Sequence, residues 1–245
     1  MVIKARKQND LFEMPRGYRS AYAVWVKRPL DFAAALISLV VLSPLLLLIG
    51  ASVLVVHGRP VIFVQERSGL HDRVFRLYKF RTMTDALDED ELPLDDELRL
   101  TRFGRFLRST SLDELPELLN ILKGDMSFVG PRPLLVRYLS YYTDWERQRS
   151  CVRPGLTGLA QVRGRNESSW SARFAADVEY VQNLSPLMDI RILLRTAAVV
   201  LNRSGIKMGA SVGMDDLDVE RSRVISCGEG ARDDAAQGGH TPAHS

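Results

Sequence analysis

A long apolar run near the N-terminus constrains this chain more than any other feature. The segment from Leu30 to Val56 is almost entirely apolar, and roughly 20 such residues are enough to cross the hydrocarbon core of a bilayer. The run begins too far from the N-terminus, and its apolar part is too long, for a cleavable signal peptide. The sequence therefore predicts a membrane-embedded segment.

Ser43 and Pro44 interrupt this run near its middle, and the interruption leaves two membrane arrangements open. A proline inside a helix removes one backbone hydrogen bond and clashes with the preceding turn, so we expect a kink. Basic residues flank the run at both ends, and it is cytoplasmic flanks that carry excess lysine and arginine. A re-entrant hairpin satisfies both observations, but prolines are also tolerated in ordinary transmembrane helices. The residues alone do not decide between the two.

The remaining composition is that of a folded domain with short appendages. The 245 residues carry a net charge of only +3, which gives a nucleic-acid-binding role no support. The two cysteines, Cys151 and Cys227, have neither CxxC nor metal-ligand spacing, so a reducing cytoplasmic setting is the simpler assumption. Residues 1–26 are polar and basic and predict an arm, either solvated or lying on anionic headgroups.

Downstream of the apolar run the residue pattern predicts a β-hairpin and then mainly helices. The hairpin strands are expected at Val61–Gln65 and Val74–Phe80, which are rich in β-branched and aromatic residues around a glycine turn. The acidic stretch at 84–98 contains a proline and predicts a flexible loop rather than a metal site. Further helices are predicted over 134–150, 168–183 and 187–201, and a disordered tail from about 205.

Two adjacent carboxylates, Asp113 and Glu114, precede Pro116 and an apolar helical pattern. Because proline is tolerated in the first turn of a helix and is costly deeper in, Asp113 or its neighbour is expected to cap that helix. Backbone N–H groups and the helix dipole would then keep Asp113 ionised and attract a phosphate. Ser111 and Glu114 also fit a capping box, so a purely structural role stays open at this point.

Arginines cluster in the motifs around this pair. A short helix capped by Thr101 carries Arg102, Arg105 and Arg108 on one side, and the stiff turn Gly130–Pro133 presents Arg132. A guanidinium group suits bidentate binding of phosphate. The Gly-rich loop at 153–165 matches neither a Walker motif nor a dinucleotide fingerprint, so no P-loop enzyme is indicated.

The motifs taken in order resemble those of one family. They are K-R-P-L-D at 27–31, the Ser43-Pro44 break, K-F-R-T-M at 79–83, T-S-L-D-E-L-P at 110–116, F-V-G-P-R-P at 128–133, R-P-G-L-T-G at 153–158 and D-x-x-Y at 177–180. The chain resembles the bacterial sugar transferases, which are monotopic polyprenyl-phosphate phosphoglycosyl transferases that initiate exopolysaccharide and O-antigen synthesis. The resemblance covers about residues 25–204. Within the family, the chain resembles the short members that lack the extra N-terminal membrane domain.

The resemblance implies an activity and a set of site residues. A sugar-1-phosphate would pass from a UDP-sugar to undecaprenyl phosphate, with release of UMP, through a covalent phosphosugar on Asp113. Glu114 would be the partner of this nucleophile, and both carboxylates would bind Mg²⁺, which favours carboxylates together with phosphate oxygens. The expected phosphate ligands are Lys79, Arg81, Arg108, Arg132 and Arg153.

The resemblance also implies an architecture and a location. We expect a mostly helical α+β fold, with a re-entrant membrane helix-hairpin at 27–58 and a small catalytic domain at 59–204. That domain would carry the β-hairpin and interfacial amphipathic helices, and it would lie at the cytoplasmic face of the bacterial inner membrane. A basic arm at 1–26 would precede the membrane hairpin, and a disordered tail at 205–245 would follow the catalytic domain. A homodimer and the identity of the sugar stay open, and the alternative function is a non-catalytic membrane scaffold for glycan assembly.

Overall fold

The computed structural model describes residues 17, 20–88, 90, 92, 94–163, 169–201 and 216–222. The α-helices are α1 (Lys27–Val41), α2 (Ser43–His57), α3 (Asp96–Arg99), α4 (Arg102–Ser109), α5 (Glu117–Lys123), α6 (Leu159–Arg163), α7 (Trp170–Gln182) and α8 (Pro186–Leu201). The strands are β1 (Ile62–Ser68), β2 (Val74–Phe80), β3 (Ser127–Val129) and β4 (Gly155–Thr157). A π-helical turn (Tyr22–Val26) precedes α1, and 3-10 turns cover Leu70–Asp72, Leu112–Glu114, Val136–Tyr141 and Glu146–Cys151. The predicted α+β class, mostly helical with small sheets, is confirmed.

The apolar run folds as two helices that meet at Leu42. Pro44 stands in the first turn of α2 and has no N–H to donate to the Val40 carbonyl one turn back. The Ser43 hydroxyl donates to that carbonyl instead, at 2.8 Å. Each residue of the Ser-Pro pair thus has a physical role, since the proline breaks the backbone ladder and the serine satisfies the oxygen that the break exposes.

The bend between these two helices bears on the membrane arrangement. Within the described ranges no single helix is long and apolar enough to cross a bilayer, whereas Tyr22–Val41 and Ser43–His57 pass that test together and are bent by 64°. Many of their apolar side chains are exposed, Ile37 and Val55 among them at 63% and 85%. A re-entrant hairpin is therefore compatible with the fold.

Three polar side chains at the start of α1 attach the helix pair to the rest of the protein. Lys27 forms a buried ion pair with Asp189 of α8 at 2.5 Å. Asp31 accepts hydrogen bonds from the Ser127 hydroxyl at 2.7 Å and from the Phe128 N–H at 3.3 Å. Arg28 donates to two carbonyls at the end of α5. Buried charges remain favourable only when they are paired, so these contacts fix α1 against α5, β3 and α8.

Two small sheets complete the body. β1 and β2 form the predicted antiparallel hairpin, which runs from the pair Ile62–Phe80 to the pair Ser68–Val74. The first strand is three residues longer at its C-terminal end than the sequence predicts, since it reaches Ser68 instead of Gln65. β3 and β4 are parallel and pair Ser127 with Gly155. The second sheet holds the segment that follows α5 against the Gly-rich loop.

Several predicted helices are confirmed and one is wrong. Thr101 caps α4 by accepting from the Gly104 N–H at 2.9 Å, and α7 and α8 lie where they were expected. Instead of a helix over 134–150, two 3-10 turns occupy this stretch. Instead of forming one helical face, Tyr138, Tyr141 and Tyr142 pack in a core with Trp170 and Phe174. Trp145 lies outside this core and is exposed.

The tail also differs from the prediction in part. Residues 216–222 form a helical turn, and Leu217 is fully buried against the aromatic core, so the expectation of disorder does not hold for this segment. The other residues of the tail, together with most of the N-terminal arm and Cys227, lie outside the described residues. The acidic stretch at 84–98 is described in part and ends in α3.

Candidate active site

The Asp-Glu pair lies in a 3-10 turn between two helices rather than at a helix N-terminus. The turn covers Leu112–Glu114 and follows Ser111, whose φ of 57° puts it in the left-handed region. α5 begins only at Glu117, and Pro116 is its cap residue without a side-chain hydrogen bond. The expected cap at Asp113 and the capping box at Ser111 are therefore both wrong. The helix-dipole explanation for an ionised Asp113 does not apply either.

Glu114 is held by two cations from distant parts of the chain. Its Oε1 atom accepts from Lys79 Nζ of β2 and from an Arg132 guanidinium N–H, each at 2.7 Å. Burial alone would raise the pKa of Glu114, but the charges of Arg132 and Lys79 and their hydrogen bonds outweigh it and hold that pKa well below its ordinary range. Glu114 is thus a permanent anion that brings β2, the 3-10 turn and the Gly130–Pro133 turn to one point.

Asp113 is buried beside Glu114 and is in a different electrostatic state. Burial and the negative charge of Glu114 raise the pKa of Asp113 to about 6, against the opposing effects of Lys79, Arg108 and Arg132. In the metal-free protein, burial and Glu114 thus outweigh the nearby cations that were expected to favour the ionised form of Asp113. A pKa of about 6 lies below neutral pH, so Asp113 remains mostly ionised at pH 7. A carboxylate of raised pKa that remains mostly ionised is a stronger base and nucleophile than an ordinary one.

A third carboxylate, Glu117, belongs to this cluster and was missed from the sequence. Its side chain is 3% exposed and lies 3.2 Å from Lys79 Nζ. Burial and the charge of Glu114 raise the pKa of Glu117 to about 7. The signal was available, because residues three apart in a helical stretch share a face and Glu117 follows Glu114 at that spacing. Lys79 is consequently shared between two carboxylates.

Asn120 sets the position of Lys79 through the backbone of β2. This buried amide accepts from the Tyr78 N–H at 3.1 Å and donates to the Arg76 carbonyl at 2.7 Å. Both contacts are to the backbone just before Lys79. Because the Asn120 amide forms hydrogen bonds with β2 both as donor and as acceptor, it fixes α5 against β2 with little freedom.

The five predicted phosphate ligands separate into two groups. Lys79 and Arg132 contact Glu114 of the Asp113–Glu114 pair (the dyad) directly. Arg108 is half-buried, donates to Thr82 at 3.1 Å and lies close enough to lower the pKa of Asp113. By contrast, Arg102 and Arg105 of the same predicted stripe are exposed.

Arg81 and Arg153 are placed elsewhere. Arg81 is buried and donates to the carbonyls of Met83, His57 and Arg59, so it closes the junction between α2 and the hairpin. Arg153 donates to the Gly124 carbonyl at the C-terminal end of α5, the end away from the dyad. The structure brings together three of the five candidates and leaves these two outside.

A buried ion pair behind Arg132 fixes the turn that carries it. Arg149 is paired with Asp177 at 2.8 Å and donates to the Arg132 carbonyl at 2.6 Å. The hydroxyl of Tyr180, three residues after Asp177, lies 3.0 Å from the Val129 carbonyl and 2.8 Å from Asp189, and its single O–H is shared between these two acceptors. The D-x-x-Y motif on α7 thus holds the segment from Val129 to Arg132 in place.

The cluster contains only part of a metal site. The described residues contain no group of three or more His, Cys, Asp or Glu side chains placed to hold a metal ion. Asp113 and Glu114 supply two carboxylates, and among the described residues no donor reaches Asp113 or the second oxygen of Glu114. Magnesium commonly takes one or two carboxylates, waters and substrate phosphates. The donor set therefore fits Mg²⁺ that is shared with a bound phosphate.

Replacing Asp113 by Asn is expected to stabilise the metal-free protein. The pKa rises from 3.8 to about 6 on folding, so the stability contribution of the neutral form is complete below about pH 3.8 and is lost as the pH rises through 6. A pKa change of this size corresponds to at most about 3 kcal/mol of unfolding free energy. We therefore expect Asp113→Asn to raise the free energy of unfolding by on the order of 1–3 kcal/mol above about pH 7. Urea unfolding of both proteins in EDTA across this pH range is the measurement. A difference that does not grow with pH would contradict the assignment.

Sequence comparison relates the chain to known proteins. The model of the family described as bacterial sugar transferase matches residues 22–203. The uncharacterized sugar transferase EpsL of Bacillus subtilis (strain 168) is 50% identical over 182 residues, which are 74% of this chain and 90% of EpsL.

Two further relatives carry more specific names. The undecaprenyl-phosphate galactose phosphotransferase of Salmonella typhimurium is 39% identical over 221 residues, 83% of this chain but 45% of the relative. The UDP-glucose:undecaprenyl-phosphate glucose-1-phosphate transferase of Caulobacter vibrioides is 42% identical over 186 residues, 71% of this chain and 69% of the relative. Because the family model covers most of the chain and EpsL shares half of the aligned residues, the chain belongs to the bacterial sugar transferase family.

Proposed function

We propose that this protein transfers a sugar-1-phosphate from a UDP-sugar to undecaprenyl phosphate and releases UMP. The observation that carries the proposal is the cluster in which Asp113 and Glu114 meet Lys79, Arg108 and Arg132. Relatives with 39% and 42% identity are named for this kind of transfer with galactose and with glucose. The two names differ in the sugar, so the proposal extends to the class of substrate and not to one sugar.

Asp113 is the proposed nucleophile. Its carboxylate attacks the phosphorus that carries the sugar, the bond from that phosphorus to the bridging oxygen breaks, and UMP leaves with the electron pair. An oxygen of undecaprenyl phosphate then attacks the same phosphorus and releases the Asp113 carboxylate. No proton transfer to the carboxylate is needed in either step, which agrees with the lack of a histidine in this cluster of described residues.

The surrounding cations supply charge neutralisation. Phosphoryl transfer depends on positioning and on stabilising charge at the equatorial and leaving oxygens. Arg132 and Lys79 are already paired with Glu114, and Arg108 is the cation near Asp113 that has no carboxylate contact among the described residues. We assign Arg108 to the diphosphate of the donor. A bound Mg²⁺ would be held by Asp113 and Glu114 and would neutralise further diphosphate charge.

The apolar surfaces support a membrane location for the acceptor. Exposed apolar residues cover α1 and α2, and Leu187, Ile190 and Leu194 form an exposed stripe on α8. Such a stripe on a helix whose Asp189 is buried is typical of an interfacial helix. We propose a re-entrant α1–α2 pair in the inner membrane, with the active site at its cytoplasmic face. There a water-soluble nucleotide and a lipid phosphate can meet.

Incubation of the purified protein with a UDP-sugar and Mg²⁺, without polyprenyl phosphate, should leave a phosphosugar adduct on Asp113. Mass spectrometry of the peptide that contains residue 113 detects it. Asp113→Asn should form no adduct and release UMP at less than about 1% of the wild-type rate, since the nucleophile is lost. Asp96→Asn, whose side chain is 79% exposed on α3, is the matched control and should behave as wild type. Wild-type UMP release by Asp113→Asn would refute the mechanism, and no release from a panel of UDP-sugars would favour the scaffold alternative.

Arg108→Ala and Arg153→Ala should separate in their kinetics. Loss of a charged hydrogen-bond donor to the diphosphate should reduce kcat/KM for UMP release by about 10- to 100-fold in Arg108→Ala. Arg153→Ala should stay within about threefold of wild type, because Arg153 contacts the far end of α5. Steady-state kinetics with detergent-solubilised acceptor measure both values. If kcat/KM fell equally in the two variants, Arg153 would have to be assigned to the phosphate site as well.

Labelling of single cysteines tests the re-entrant arrangement. In a protein without its native cysteines, Val24→Cys and Arg59→Cys place one thiol at each end of the helix pair. A re-entrant pair has both ends in the cytoplasm, so a membrane-impermeant maleimide should label neither thiol in spheroplasts and both after permeabilisation. Labelling of one end in intact spheroplasts would instead establish a spanning helix.

A further inference from the structure

The segment at 216–222 docks on the catalytic body through one buried apolar side chain. Leu217 is 0% exposed and packs with Tyr138, Tyr142, Trp170 and Phe174. Val219, two residues on, is 41% exposed and faces away. This segment lies beyond residues 22–203, which the family model matches, so the family resemblance does not account for its docking.

Charged contacts fix the two ends of the docked segment. At its start, Asp216 accepts from the Tyr138 hydroxyl at 2.8 Å and is paired with Arg137, which also contacts Asp218 at 3.2 Å. At its end, Arg221 pairs with Glu146 at 2.5 Å and donates to the Tyr141 carbonyl at 2.7 Å. Acidic residues of the segment thus meet a basic residue of the body, and a basic residue of the segment meets an acidic one. This complementarity defines a single orientation.

A continuous series of contacts joins this segment to the Asp-Glu pair. The guanidinium groups of Arg221 and Arg149 lie 5.9 Å and 5.7 Å from the Phe174 ring centroid. Arg149 donates to the carbonyl of Arg132, and the Arg132 side chain reaches Glu114. The docked segment also contacts Arg137 and Tyr138, which follow Arg132 closely in the chain. It therefore reaches the Arg132 segment by two routes, through Phe174 and Arg149 and through the chain that follows Arg132.

We propose that residues 216–222 act as a strap that docks in cis and positions Arg132 against Glu114. When the strap is released, the aromatic core on which Arg149 packs loses Leu217. The turn at 130–133 then moves, and Arg132 meets Glu114 in a smaller fraction of molecules. Arg132 holds Glu114, the carboxylate beside the proposed nucleophile, so release lowers the rate. The catalytic part of this inference rests on the proposed function, whereas the docking does not.

Paired variants test the strap. Leu217→Asp removes the buried anchor, and Val219→Asp introduces the same charge at the exposed neighbouring position. A protein ending at residue 215 lacks the strap, and a protein ending at Ser222 lacks only the residues beyond it. Hydrogen exchange of the 131–151 region should be faster in Leu217→Asp and in the protein ending at 215. It should be unchanged in Val219→Asp and in the protein ending at Ser222.

The kinetics should follow the same division. We expect kcat for UMP release to fall about tenfold in the two strap-deficient proteins, with a smaller change in KM for the UDP-sugar. A synthetic peptide spanning residues 212–226 should restore both protection and rate to the protein ending at 215. The exchange of charges in Glu146→Arg with Arg221→Glu should recover more activity than Arg221→Glu alone, which a loss of general stability would not produce.

The outcomes distinguish this inference from the proposed function. Wild-type exchange in Leu217→Asp and in the protein ending at 215 would overturn the docking. Faster exchange with unchanged UMP release would overturn the positioning of Arg132. If the full-length protein released no UMP from any UDP-sugar, the proposed function would fail, and the exchange data would still decide whether the strap docks.

Discussion

The buried charge of Glu114 is the constraint on which the site depends. A carboxylate that is removed from water stays ionised only if cations reach it, and here both cations come from distant segments. Lys79 is supplied by β2 and Arg132 by a turn that follows β3. Each segment is in turn fixed by its own buried polar group, Asn120 for the strand and Arg149 for the turn. The pair of carboxylates is thus the point where the hairpin, the turn and α7 become one structure.

Burial of Asp113 lowers the stability of the fold and at the same time makes its carboxylate more reactive. A neighbouring anion and low exposure make its ionisation unfavourable, and this is why its pKa is raised to about 6 rather than lowered. The same surroundings leave Asp113 without a hydrogen-bond donor among the described residues, so its oxygens are not already engaged by the protein. A carboxylate that is poorly solvated, weakly satisfied and still mostly ionised has more to gain from meeting an electrophilic phosphorus or a metal ion.

Local sequence patterns predicted most helices and strands correctly. The features that they did not predict are set by tertiary contacts. The hairpin, the break at Pro44 and the Thr101 cap each follow from a few adjacent residues, and each is confirmed. The start of α5 could not be placed, because the turn at Leu112–Glu114 is held by Lys79 and Arg132 rather than by helix propensity. Arg81 lies in a basic motif typical of a phosphate ligand, yet the carbonyls of His57, Arg59 and Met83 and the carboxylate of Asp85 take up its donors. An arginine in a basic motif does not reveal from sequence whether its partner is a ligand or a carbonyl.

The motifs farthest from the dyad have a structural explanation that ties the membrane to the chemistry. Lys27 at the start of α1 and Tyr180 of α7 both contact Asp189, and the Tyr180 hydroxyl also contacts the carbonyl of Val129. Val129 is the last residue of β3, and Asp31 accepts hydrogen bonds from Ser127 and Phe128 at the start of the same strand. The segment that leads to Arg132 is therefore fixed at one end to the α1–α2 helix pair and at the other to Arg149. Because of this, the position of the helix pair and the position of Arg132 at Glu114 are mechanically coupled. In the proposed membrane arrangement, the Lys27–Asp189 pair would set the height at which a lipid phosphate meets the carboxylates.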